Sequence, residues 1–98
     1  MSKNPYMELS IPPAAAETGG VEVLRAAIVD QSMATSIRRA TDDPAAWGLL
    51  LGVIARQVAQ IYAKESDMTE AAALERIRTM FEAEISSSND VGDVAPVS

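Results

Sequence analysis

The 98-residue chain contains no cysteine and no histidine. The first absence removes disulfides, thiolate nucleophiles and thiolate metal ligands. The second removes imidazole ligands and the commonest general base. A cysteine-free chain also suits a reducing compartment, so the expected location is cytoplasmic. Basic side chains are outnumbered, 8 Lys and Arg against 14 Asp and Glu, for a formal net charge of −6. A surface of that sign repels phosphate backbones and anionic headgroups, so neither nucleic acid nor a membrane is an expected partner. Asp90 and Asp93 add to the acidity of a C-terminal stretch that has no Lys or Arg after Arg78.

Long apolar runs are missing too. No window approaches the roughly 18 residues of a membrane span. Met1-Ser2-Lys3 leads into Asn4-Pro5-Tyr6, which is not the apolar core of a signal peptide. The motifs that activate a nucleophile or cradle a phosphate are absent as well. There is no Ser-x-x-Lys, no Gly-x-Ser-x-Gly and no Gly-x-x-x-x-Gly-Lys-Ser/Thr after Gly19-Gly20. No Asp-x-Asp-x-Asp-Gly calcium loop occurs. These absences point away from an enzyme, and no cofactor or metal is expected.

What remains is a short chain with room for one domain and a modest core. Oligomerisation is a common remedy for so small a core. Residues 1–5 are polar and expected to fray. Met7, Leu9 and Ile11 alternate with Glu8 and Ser10, the period of a short edge strand or extended arm. Pro12-Pro13 stops it, because proline has no N–H to donate to a ladder. Ala14 to Glu17 can form one helical turn before Gly19-Gly20 breaks it.

Val21 to Arg39 is ambiguous. As strands, Val21, Val23, Ala27 and Val29 share one face and Leu24, Ala26 and Ile28 the other, with Met33, Thr35 and Ile37 alternating after a turn at Asp30-Gln31-Ser32. As a helix, Leu24, Ala27 and Ile28 make a stripe that Gln31 and Ser32 interrupt. The β-branched residues Val21, Val23, Ile28, Val29, Thr35 and Ile37 favour a hairpin, although the turn lacks the usual Asn-Gly or Asp-Gly.

Two helices follow. Asp43 is placed to cap the first through its carboxylate, and Pro44 fits the first helical position, where its missing N–H is no loss. Trp47, Leu51, Ile54, Val58 and Ile61 step by four and three to about Lys64, a continuous apolar stripe. Leu49, Leu50 and Val53 make the first half apolar nearly all round. Glu65-Ser66-Asp67-Met68 connects to a second helix ending near Ile85. Asp67 and Thr69 compete to cap it, and Leu74, Ile77, Phe81 and Ile85 form its stripe. So short a connection implies an antiparallel helical hairpin. Residues 86–98 lack periodicity and bulk and are expected to be a disordered tail.

The expected fold class is α+β. Residues 6–85 would form one domain, an antiparallel β-hairpin or three-stranded sheet covered by two antiparallel α-helices. Three helices with an extended arm are the alternative. The predicted core is Leu9, Ile11, Val23, Ile28, Ile37, Trp47, Leu50, Leu51, Ile54, Val58, Ile61, Leu74, Ile77 and Phe81.

The candidate interface or pocket residues are Trp47, Gly48, Leu49, Gly52, Val53, Arg25 and Arg38. Gly48 and Gly52 have small-xxx-small spacing and each costs a soluble helix about 1 kcal/mol relative to alanine. Close backbone approach would offset that, either by the chain's own hairpin or by a second chain. Trp47 is either core, with its indole N–H paired to a carbonyl, or the wall of a pocket. Arg25 and Arg38-Arg39 could hold an anion, or pair with Glu22 and solvent on a wet strand face. Asp42, Asp43, Asp67 and Glu70 sit at helix starts, which accounts for them without a metal. The functional expectation is a non-enzymatic, self-associating protein–protein interaction module, a homodimer, with an unidentified protein as a further candidate partner. A small-molecule-binding or regulatory domain with a pocket near Trp47 is the alternative.

Three pieces in order carry a resemblance: Glu8-Leu9-Ser10-Ile11-Pro12-Pro13, then Glu22-Val23-Leu24-Arg25, then Asp43-Pro44-Ala45-Ala46-Trp47-Gly48-Leu49-Leu50-Leu51 running into Ala55-Arg56-Gln57-Val58-Ala59. Over residues 6–85 the chain resembles a family of small bacterial proteins, domain of unknown function 5076. Members often carry a histidine where Gln57 stands and an aromatic near Ala27, and both are missing here. The resemblance implies a small cytoplasmic α+β domain and assigns no catalytic residue, cofactor or partner.

Overall fold

The alternating stretch after Gly20 does form a hairpin. The computed structural model describes residues 5–97, so most of the expected frayed start lies outside the described residues. Strand β1, Leu24–Val29, pairs antiparallel with β2, Ser32–Arg38. The turn is tighter than expected and holds only Asp30 and Gln31, both left-handed at φ 49° and 67°. Two positive φ values give the primed turn whose twist matches the flanking strands, here without its customary glycine.

Before the hairpin, Tyr6 to Ile11 form no strand. Leu9 is 89% exposed, so the predicted alternation has no sheet to join. A short helix α1, Pro13–Thr18, follows the two prolines and ends where Gly19 takes φ 90° and donates its N–H to the Ala15 carbonyl at 2.8 Å.

Helix α2 spans Ala45–Glu65 and α3 spans Glu70–Ile85. Asp43 caps α2: its Oδ1 accepts from the Ala45 N–H at 2.9 Å, satisfying one of the orphan donors of the first turn. Thr69, not Asp67, caps α3, with Oγ1 accepting from the Ala72 N–H at 3.1 Å. The helices pack on each other through small residues, and Ala59 and Ala73 are the enclosed hydrophobic side chains among the described residues.

Two expectations are corrected. The third strand comes from the C-terminal segment, not from Leu9: β3, Asp93–Val97, lies parallel to β2 and makes the order β1-β2-β3. Residues 93–97 were expected in a disordered tail. Their strand state rests on pairing with residues almost sixty positions away, as in Thr35 opposite Val94, which local composition does not encode. Gly92 makes the approach possible. It sits at φ 83°, and a Cβ there would stand 2.6 Å from the Met33 carbonyl oxygen. Pro96 suits an edge strand. The second correction concerns the core. Within one chain the helical hairpin does not lie on the sheet: no Cα of α2 or α3 comes within 8 Å of a strand Cα. Leu9, Ile11, Ile28, Leu51, Ile61 and Phe81 of the predicted core are exposed, and its other members are half-buried.

The register divides the sheet into two unlike faces. Leu24, Ala26, Ile28, Met33, Thr35, Ile37, Val94 and Pro96 share one, and it is apolar apart from Thr35. Arg25, Ser32, Ser36, Arg38 and Asp93 lie on the other, with Ala27, Val29, Ala34, Ala95 and Val97.

Candidate interaction surface

The first half of α2 carries five of the predicted site residues. Trp47 is anchored: its indole Nε1–H donates to the Arg39 carbonyl at 2.9 Å, so the ring is half-buried over the end of the sheet. One turn on, the surface is bare. Leu49 is 73% and Val53 42% exposed. A Cβ added at Gly48 or Gly52 would meet nothing within 4 Å. The close neighbour expected at these glycines is therefore not the chain's own hairpin.

The apolar sheet face is bare at its far end in the same way. Ile28 is 78% and Met33 49% exposed. At the near end Trp47, Ile37, Val94, Pro96, Val97 and Arg39 line an open, mainly apolar cleft of about 420 Å³. Arg39 and the β3 residues were not singled out from the sequence. Arg39 was read only as half of a basic doublet, and nothing local marks the C-terminal segment as a wall of this cleft.

Arg25 and Arg38, grouped with Trp47 among the candidate residues, project from the opposite face of the sheet. They line a separate cleft of about 180 Å³ with Glu22, Val23, Leu24, Ser36 and Val97. Strand alternation accounts for the separation, since neighbouring positions along β2 point to opposite sides. Arg25 is engaged by two carboxylates. It meets Glu22 at 3.1 Å and Glu8 at 3.3 Å, and its guanidinium carbon lies 5.9 Å from the centre of the Tyr6 ring. Hydrogen bonding to Glu22, then the charge of Glu22, then the Glu8 contact, raises the Arg25 pKa above its ordinary value. Arg38 Nε donates to the Glu22 carbonyl at 3.1 Å. These bonds tie the N-terminal arm to the polar face and fill the charge capacity of Arg25 from within the chain.

Among the described residues no group of three or more acidic side chains is placed to hold a metal ion. Nor, among the described residues, is any helix long and apolar enough to cross a membrane.

Comparison with known proteins agrees with the α+β reading. Residues 8–89 match the model of a family described as Domain of unknown function (DUF5076). Among solved structures, the chain is similar to one described as a "putative pyruvate dehydrogenase" from the photosynthetic bacterium Rhodopseudomonas palustrus CGA009. The two are 41% identical, the match covers 94% of this chain and 97% of that one, and the TM-score is 0.74. The activity in that description is that protein's. No curated protein matches the chain.

Proposed function

The chain belongs to the DUF5076 family, and from that premise we propose a non-enzymatic, self-associating protein–protein interaction module that works as a homodimer in the cytoplasm. The observation that carries this reading is surplus surface. One chain exposes 8709 Å². A compact monomer of 10.4 kDa exposes about 5,400 Å² by the usual scaling with mass. The surplus of about 3,300 Å² exceeds the roughly 1,000–2,500 Å² that each subunit of an obligate dimer buries. The radius of gyration agrees: it is 15.6 Å, against about 12.6 Å for a compact chain of this length. Part of that surface is apolar and clustered, with Leu49, Val53, Ile28 and Met33 all exposed.

Light scattering across a concentration series tests the reading. The expected mass is twice that of the chain at micromolar concentration. A monomer that unfolds cooperatively at a midpoint independent of concentration would refute it.

A second reading has one observation in its favour, the cleft at Trp47 with Arg39 on its rim. An apolar small molecule bearing an acid group fits that chemistry. Its mark is a metabolite-dependent shift in Trp47 fluorescence, and a metabolite screen that moves neither the emission nor the melting temperature would remove this reading.

A further inference from the structure

Each chain leaves both halves of a helix-on-sheet contact uncovered. One half is the α2 surface around Leu49 and Val53. The other is the apolar face of β1 and β2. We infer that α2 of a second copy seats on this sheet face, and that the twofold partner returns the same contact, so that each chain's helix completes the other's core. The inference rests on the self-association reading and adds its geometry.

Shape supports the match. The outer strands of a three-stranded sheet stand about 10 Å apart, close to the width of one helix. At the middle of the face lie the small residues Ala26 and Thr35, directly opposite each other. Bulkier pairs flank them: Leu24 opposite Ile37 on one side and Ile28 opposite Met33 on the other. The face is thus a shallow trough with raised ends. Leu49 and Val53 are one turn apart on α2, about 6 Å, and same-face residues on a strand are separated by nearly the same distance. The helix presents those two side chains as a ridge. Gly48 and Gly52, with open space beside them, let its backbone come close.

The chain's own segments do not serve as the occupant. Trp47 fixes the start of α2 at the Ile37 end through Arg39, and the bare Leu49 and Ile28 show that the rest of α2 does not lie on the sheet. The N-terminal arm is held on the opposite face by the Glu8–Arg25 pair. A twofold exchange closes both bare surfaces with one operation, because what one chain offers the other lacks. An unrelated partner would have to match a helix face and a sheet face together.

The absence of cysteine makes the test clean. Leu49→Cys is placed in an untagged chain and Met33→Cys in a tagged chain. The two are mixed, unfolded and refolded together, then treated with a short bis-maleimide. The expected main product joins a tagged to an untagged chain. Val53→Cys with Ile28→Cys is a second pair, which decides if either first variant fails to fold by circular dichroism. Dimeric mass with cross-links only between identical variants would overturn the reciprocal geometry while leaving self-association standing. Monomeric mass with no cross-link would overturn both.

Discussion

Replacing Gly48 and Gly52 by alanine separates a lone chain from a dimer, because the two cases give opposite signs. Neither added Cβ meets an atom within 4 Å beyond its adjacent residues and the local helix backbone. For an isolated chain only helix propensity changes, and each substitution stabilises by about 1 kcal/mol. The double variant would then gain about 2 kcal/mol, a melting temperature roughly 8–16 °C higher for a domain of this size. For a dimer closed over these glycines, four methyl groups enter the contact. At the low end of overpacking, about 1 kcal/mol each, association weakens by about 4 kcal/mol, or roughly a thousandfold in the dissociation constant. The propensity gain does not offset this loss, since it is shared by any folded monomer and cancels from the association equilibrium. Light scattering and thermal melts at two concentrations a hundredfold apart read both quantities. The expected result is a shift to monomer and a melting temperature that falls on dilution. A more stable variant of unchanged mass, with a midpoint insensitive to dilution, would refute the reasoning.

Two local predictions test the hairpin and the third strand. Gln31→Gly places glycine at a left-handed turn position of φ 67° and is expected to raise stability by about 0.5–1 kcal/mol, read from the urea midpoint; a fall in midpoint would contradict the turn assignment. Gly92→Ala puts a methyl 2.6 Å from the Met33 carbonyl oxygen at a residue of φ 83°. It is expected to release β3, with hydrogen-exchange protection lost over 93–97 and kept over the β1–β2 hairpin. Unchanged protection at 93–97 would show that the close approach is not what seats the strand.

The elements that were legible in the sequence are those whose causes are local. Asp43-Pro44 marks the start of α2 because capping and the missing proline N–H act within one turn. The β-branched run from Val21 to Ile37 specifies strands through side chains of the same few residues. Pairing of the basic side chains with Glu22 was one of two readings of a wet strand face, and Arg25 takes it. The site was legible only in part. The apolar wrap of α2 named Leu49 and Val53 as surplus, but it could not say that the sheet would leave them bare. Arg25 and Arg38 were grouped with Trp47 because sequence proximity hides which strand face a side chain takes.

By itself, then, the sequence favoured the α+β class and the hairpin, marked the start of α2 and excluded thiol and imidazole chemistry, all through side chains acting on near neighbours. Tertiary structure alone decided that β3 joins β2, that Trp47 stands beside Arg39, and that the helical hairpin leaves the apolar sheet face uncovered. Each of those depends on contacts between distant parts of the chain, where backbone reach and strand register, not local preference, select the neighbour.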